Sequence, residues 1–115
     1  MLNQPIDPNV KKFIRASLRK QYLYWPARQT VIKRAMVDRG NYRCEICHQQ
    51  GFKRNDLQID HIEPAQTLET KMNTWLDLIT FITRLFVYED KLQAICKPCH
   101  QLKTNLETKM RKYYR

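Results

Sequence analysis

The sequence predicts an α+β fold in which two basic helices precede a pair of short strands joined by a metal site. Three observations predict it. Apolar residues recur at helical spacing in four segments, two short apolar runs have strand character, and a Cys-x-x-Cys pair lies near each run. At 115 residues, the chain is long enough for one small domain, which we expect to span residues 1–115.

Two helices are predicted in the basic N-terminal part, residues 1–40. In the first, "DPNVKKFIRASLRKQYLYW", Pro8 lies near the first turn and apolar residues recur at helical spacing. In the second, "WPARQTVIKRAMVDRG", Pro26 stands at the start and Gly40 lies just past the predicted end.

The predicted core, residues 41–108, alternates strands and helices. A turn-rich knuckle around "NYRCEICHQQG" leads into the strand "LQIDH". A helix inserted at residues 72–88 precedes the second strand, "KLQAI", and a helix through "KPCHQLKTNLETKMRKYY" closes the chain. In the inserted helix, one apolar stripe is expected to face the core: Trp75, Leu78, Ile79, Ile82, Leu85 and Phe86.

Positive charge is concentrated in the first 43 residues, which hold ten Lys/Arg and two acidic residues; the remainder holds eleven and nine. Such a segment favours a polyanionic partner, with nucleic acid first. The alternative is a solvated basic helix face that keeps the protein soluble. For DNA, we expect mainly sequence-independent backbone contacts, from Arg15, Arg19, Lys20, Arg28, Lys33, Arg34 and Arg43.

The sequence shows no sign of export or membrane insertion. No basic-then-apolar leader opens it, and its longest apolar-rich segment, "WLDLITFITRLF", contains Asp77 and Arg84 and is too short to span a bilayer. We therefore expect an intracellular protein without a membrane partner, whose four cysteines do not form disulfides.

The four cysteines form two Cys-x-x-Cys pairs, Cys44/Cys47 and Cys96/Cys99. This spacing lets both thiolates of a pair reach one tetrahedral ion, and zinc favours four thiolates, so the sequence predicts a structural zinc site. The alternatives are a redox motif, which needs only one pair, or four buried thiols. His48 and His100 each follow a pair directly, but four thiolates leave neither required.

A zinc clamp of this kind would draw the two strands together and pin the closing helix against them. Asp60, His61 and His100 then meet in one cleft, although they are distant in sequence. Asp60 and His100 can hold Mg²⁺ or Mn²⁺ while phosphate and water complete the coordination. His61 can act as general base near neutral pH. The alternatives are that Asp60 caps a turn, that His61 stacks in the core, and that His100 is only a polar residue in the first turn of the closing helix.

Further polar residues are expected to support this site. Lys103, Thr104 and Glu107 follow His100 at spacings that can share its helix face, with Lys103 toward phosphate and Glu107 toward the metal or His61. Glu63 either contacts the metal through water or faces solvent before Pro64.

In combination, "YRCEIC", "LQIDHIEP" and "KLQAICKPCHQLKT" resemble the HNH endonucleases, also called His-Me finger nucleases, whose strand–strand–helix unit is the ββα-metal fold. "WPARQTVIKRAMVDRGNYRC", "TWLDLITFITRLF" and "LQAICKPCHQLKTNLE" resemble the small bacteriophage members still more closely, over about residues 15–108. The resemblance implies a phage-encoded DNA endonuclease acting in the cytoplasm of a bacterial host. It also implies His61 as general base, and Asp60 and His100 as ligands of a catalytic divalent ion.

One position departs from the family pattern. An asparagine on the second strand orients the general-base histidine in these nucleases, and Lys91 stands at the matching position here. A lysine cannot accept a hydrogen bond from the imidazole. Either Asp90 or a backbone carbonyl orients His61, or Lys91 binds phosphate instead.

Two other functions fit parts of the sequence. A zinc-ribbon DNA-binding module whose nuclease site decayed at Lys91 would keep the basic segment and the zinc, although binding alone needs none of Asp60, His61 and His100. "HIE" and "CKPC" partly match zinc deaminases, but Ile95 stands where that signature has proline. The sequence does not predict DNA specificity, nicking against double-strand cleavage, or the oligomeric state.

Overall fold

A computed structural model describes residues 1–66 and 71–114. Its regular elements are the helices α1 (Pro8–Tyr22), α2 (Pro26–Ala35), α3 (Trp75–Leu85) and α4 (Lys97–Tyr113), and the strands β1 (Met36–Asp38), β2 (Asn41–Tyr42), β3 (Leu57–His61) and β4 (Leu92–Cys96). One-turn 3₁₀ helices at Arg54–Asp56 and Glu89–Lys91 lead into β3 and β4. The predicted α+β class is confirmed.

The helices start at local signals in the sequence. The Asp7 carboxylate accepts the backbone N–H groups of Asn9 and Val10 at 2.8 and 3.2 Å and caps α1. At α3, Thr74 and Asp77 form a capping box in which each side chain accepts the other residue's backbone N–H. Both predicted helices therefore begin close to the expected positions.

The second helix ends earlier than the sequence predicted. α2 stops at Ala35, because Met36 turns into the extended conformation and pairs with Tyr42 across the β1–β2 hairpin. Gly40, predicted to follow the helix directly, lies instead in the hairpin turn with φ of 75°. The N-terminal 40 residues are thus not entirely helical.

The β3–β4 ladder lies at the centre of the fold. The two strands are antiparallel over five residues each, with Leu57 opposite Cys96 and His61 opposite Leu92. α2 packs on this ladder through Val31 and Ala35, which are 0% and 4% exposed. The second basic helix is therefore part of the core, and β4 runs directly into α4.

The inserted helix, α3, packs against α1 on a face partly different from the predicted stripe. Leu78 and Leu85 are buried as predicted, but Phe81, which the stripe omitted, is 1% exposed. Trp75 and Ile79 are 39% and 43% exposed. The buried face is rotated toward Phe81 because α1 covers that side of α3. None of the helices in the described part of the chain has the length and hydropathy to cross a membrane.

Leu78 and Ile79 are neighbours on α3 with opposite surroundings, which allows a matched test. We expect Leu78→Ala to lower the free energy of unfolding by about 2–5 kcal/mol, because it leaves a cavity in the core. Ile79→Ala is expected to change it by less than about 1 kcal/mol. Urea denaturation of the metal-loaded protein measures both, and equal effects would contradict this orientation of α3.

Candidate metal centre and adjoining cleft

The four cysteines converge on one point at the edge of the β3–β4 ladder. Cys44 and Cys47 lie in the knuckle after β2, Cys96 ends β4 and Cys99 lies in the first turn of α4. Their sulfur atoms all lie within 4.8 Å of one another, and the Cys47 and Cys96 sulfurs are 3.9 Å apart. A tetrahedral ion with bonds of about 2.3 Å holds sulfurs roughly 3.8 Å apart. The cluster can therefore hold a metal such as zinc.

Backbone N–H groups stabilise the thiolate form of Cys44, which is the form that binds a metal. The Cys44 sulfur accepts the N–H groups of Cys96, Ile46 and Cys47 at 3.3, 3.4 and 3.5 Å. Burial alone would raise the pKa of Cys44, but these donors lower it to about 6. Cys99 lacks such support, and a hydrogen bond with the Cys96 sulfur raises the pKa of Cys99 to about 12. Four sulfurs this close carry negative charge together only around a cation.

The two histidines beside the cysteine pairs lie outside the cluster. In the described residues, the group of possible metal ligands contains only the four cysteines. His48 lies 3.0 Å from Arg43 through its Nδ1 atom and the Arg43 Nη2 atom, and Arg43 donates this bond when Nδ1 is unprotonated. The His100 ring lies in a neighbouring cleft.

That cleft, of about 570 Å³, opens between β3, α4 and α1. Asp60 and His61 reach it from the end of β3, and His100, Lys103 and Glu107 reach it from one face of α4. Strand pairing and the direct β4–α4 connection thus bring together residues that are about 40 positions apart in sequence. The Thr104 residue, also on α4, is exposed.

Asp60 stands at the centre of the polar contacts in the cleft. Its side chain is 15% exposed, and its Oδ2 atom accepts from Lys103 Nζ at 3.1 Å and from Gln93 Nε2 at 3.2 Å. Its Oδ1 atom is 3.9 Å from His100 Nε2. Sequence reasoning missed Gln93, although cross-strand register places it opposite Asp60.

The Lys103 ammonium occupies the space between two carboxylates. It contacts Asp60 and, one helical turn along α4, the Glu107 carboxylate at 2.5 Å. Burial alone would lower the pKa of Lys103, but the hydrogen bonds to Glu107 and Asp60 raise it. The two acidic groups therefore already converge on a positive charge.

His61 is held by the backbone rather than by a side-chain amide. Its Nε2 atom lies 2.8 Å from the Leu85 carbonyl, and because a carbonyl only accepts, Nε2 carries the proton. The other ring nitrogen, Nδ1, is then an acceptor. Tyr22 stacks on the ring with centroids 5.1 Å apart. Burial lowers the pKa of His61, which favours the neutral imidazole.

Lys91 and Glu63 do not reach this cleft. Lys91 is exposed, and both residues line a separate depression with Arg84. Glu63 is 70% exposed and lies 3.8 Å from the Arg84 guanidinium. Lys91 therefore does not act on His61, and the Leu85 carbonyl supplies the orienting contact.

The basic residues predicted to contact DNA fall into separate groups. Arg15 and Arg19 of α1 line the cleft, and Arg28 stacks over the Tyr22 ring at 5.0 Å. Lys20, Lys33 and Arg43 are exposed. Another arginine of the cleft, Arg111, was missed by sequence reasoning. Its position on α4, four residues after Glu107 and eight after Lys103, could have indicated it.

Arg34 uses most of its hydrogen-bond donors inside the protein. Its guanidinium binds the Glu45 carboxylate through two nitrogens at 2.8 and 2.9 Å. It also donates to the backbone carbonyls of Glu89 and Leu92, both at 2.9 Å. Arg34 thus ties the cysteine knuckle to β4, and its contact with DNA stays a prediction.

Comparisons with protein-family models, with curated proteins and with solved structures found no match to this chain. Its function must therefore be inferred from the side chains of the cleft and the cysteine cluster. These side chains combine a site for a metal, an imidazole whose Nδ1 has no hydrogen-bond partner among the described residues, two carboxylates and several arginines.

We expect purified protein to contain one zinc ion per chain. Cys47→Ser should lose that ion, whereas the neighbouring variant His48→Asn should retain it, because His48 lies outside the cluster and asparagine tolerates its φ of 64°. A strong chelator should unfold the wild type, since structural zinc contributes on the order of 10 kcal/mol. Metal analysis and circular dichroism measure both effects. If His48→Asn lost zinc and Cys47→Ser retained it, the four-cysteine site would be contradicted.

Proposed function

We propose that this chain is a divalent-metal-dependent DNA endonuclease of the HNH type, with zinc in the cysteine cluster as a structural ion. The observation that carries the proposal is the state of His61. Its Nε2–H is fixed on the Leu85 carbonyl, so its Nδ1 lone pair is available one residue away from Asp60, in a cleft lined by arginines. This arrangement suits a general base acting beside a bound phosphate.

The Asp60–His100 pair fits a catalytic divalent ion. Asp60 Oδ1 and His100 Nε2 are 3.9 Å apart. Adjacent ligands of an octahedral ion with bonds of about 2.1 Å lie roughly 3.0 Å apart, so binding would draw the two side chains slightly together. A site with so few protein ligands suits Mg²⁺ or Mn²⁺, which keep water and substrate phosphate as further ligands. When bound, the ion neutralises charge on the scissile phosphate and on the leaving oxygen.

The chain's own residues then have distinct tasks. His61 accepts a proton from the attacking water, and Tyr22 and the Leu85 carbonyl keep its ring in one orientation. Gln93 fixes the Asp60 carboxylate through a hydrogen bond of 3.2 Å. Lys103, which contacts Asp60 at 3.1 Å, would contact phosphate if a cation took its place beside Asp60. The family resemblance implies hydrolysis that leaves a 5′ phosphate.

A DNA-binding module without nuclease activity is the second candidate. It is favoured by the Lys103 ammonium, which neutralises Asp60 and Glu107 without any bound ion. Under this alternative, the cleft binds DNA through its arginines and the carboxylates only position Lys103. Cleavage assays and metal-binding assays separate the two functions.

We expect the zinc-loaded protein to nick or linearise supercoiled plasmid with Mg²⁺ or Mn²⁺. His61→Ala should cleave about 10²–10⁴-fold more slowly, because the general base is lost, and should bind the plasmid as the wild type does. His48→Asn serves as the matched histidine control and should cleave normally. Retardation of the plasmid without cleavage, in every metal tried, would establish the binding module instead.

We expect Lys103→Met to bind Mn²⁺ about tenfold more tightly than the wild type, because the variant leaves Asp60 and Glu107 without a competing cation. Lys109→Met, an exposed position on the same helix, should leave the affinity unchanged. Paramagnetic resonance of Mn²⁺, measured without DNA, gives the affinity. Unchanged or weaker binding in Lys103→Met would exclude a cation site at this pair.

A further inference from the structure

Three arginines are gathered at one side of the cleft. Arg15 and Arg111 are both held by Gln66: Arg15 Nη2 donates to its side-chain oxygen at 3.4 Å, and Arg111 Nη2 donates to its backbone carbonyl at 3.1 Å. Arg15 and Arg19 share the Phe81 ring, with each guanidinium carbon 5.6 Å from the ring centroid. Two helices and one aromatic ring therefore fix three positive charges in one place.

These contacts leave most of the guanidinium N–H groups without a strong acceptor. Stacking on Phe81 uses the flat face of a guanidinium and leaves the donors along its edge. Arg15 Nε is buried without a hydrogen-bond partner in the described part of the chain. No carboxylate among residues 1–66 and 71–114 lies within 4.0 Å of Arg15, Arg19 or Arg111.

Within the described residues, the cluster gathers like charges without a carboxylate to balance them. Burial, together with the charges of Arg19 and Arg111, lowers the pKa of Arg15. Like charges without a counterion destabilise the folded chain, and edge-on donors from several guanidinium groups match the oxygens of a phosphate. The arrangement is therefore suited to an anion in this part of the cleft.

We propose that Arg15, Arg19 and Arg111 together bind one phosphate of the DNA backbone, next to the phosphate that is cut. This inference rests on the proposed function. The cut phosphate belongs at Asp60, where the nearest cation is Lys103 and no arginine of the cluster makes a contact within 4.0 Å. The arginines are anchored instead on Gln66 and Phe81, so they serve a neighbouring phosphate.

Such a pocket fixes the register of the DNA backbone in the cleft without reading bases. A phosphate held by the cluster fixes the backbone relative to His61, which sets where the next phosphodiester lies. The contact involves only backbone oxygens, so it confers no sequence preference. The three residues are thus positioning residues for the proposed reaction.

The test measures the DNA affinity of the zinc-loaded protein against salt concentration, without added Mg²⁺ or Mn²⁺ and without a chelator, so that no cleavage occurs. Arg15→Gln and Arg111→Gln should each weaken binding about 3–10-fold at low salt and reduce the log–log salt slope by no more than about 0.9. The double variant should lose about 0.9 in total, because both residues act on one phosphate. Lys12→Gln and Lys112→Gln, exposed positions on the same two helices, are the matched controls.

A second arm locates the phosphate. Duplexes carrying a single neutral methylphosphonate are cleaved with Mn²⁺. Because the protein binds in every register, wild-type cleavage should drop at one phosphodiester that lies at a fixed distance from the methylphosphonate. The double variant should cleave that phosphodiester as readily as its neighbours. Arg15→Lys should regain the salt slope, and thermal unfolding of each variant shows whether its fold is intact.

The outcomes separate this inference from the proposed function. If the arginine variants bind like the lysine controls while the wild type still binds DNA, the phosphate pocket is wrong and the endonuclease proposal stands. If each single variant loses about 0.9 and the double variant about 1.8, the arginines contact different phosphates and the shared pocket is wrong. If the wild type does not bind DNA at all, both proposals fail.

Discussion

The antiparallel pairing of β3 with β4 is the constraint on which both sites depend. It places Cys96 beside the knuckle, where its backbone N–H donates to the Cys44 sulfur at 3.3 Å. The same ladder sets Gln93 opposite Asp60, at the other end of the strands. A slip of one residue would turn every side chain of β3 to the other face, and would remove Asp60 from the cleft. The cysteine cluster and the cleft therefore share one register.

Because helix α4 follows β4 directly, the β3–β4 register also determines where α4 lies in the cleft. The helix begins directly after Cys96, and its first turn brings Cys99 into the cysteine cluster. From there, residues three or four apart lie on one face of the helix, and that face supplies polar groups to the cleft: His100, Lys103, Glu107 and Arg111. A metal bound by the cysteines fixes the start of the helix, so the orientation of this face depends on the metal as well as on packing.

Sequence reasoning identified those site residues whose positions follow from residue type and from spacing along the chain. The two cysteine pairs and the convergence of Asp60 with α4 follow from pattern and connectivity. It could not identify which backbone carbonyl contacts His61, because every residue has one and the sequence does not single out that of Leu85. The end of α2 was missed because hairpin pairing overrides helix propensity at Met36. Phe81 was missed because its burial depends on where α1 lies.

The charges of the cleft fall into two sets with opposite requirements. Asp60 and Glu107 are balanced within the protein by Lys103, whereas the arginines around Phe81 have no carboxylate partner among the described residues. On a surface that only binds DNA, these partly buried carboxylates would repel phosphate and could serve only to position Lys103. A site that binds only a cation would be weakened by neighbouring arginines, because like charges repel each other. Hydrolysis of a phosphodiester needs both, because the cation and the phosphate must be held side by side, and a neutral imidazole beside them can accept the proton.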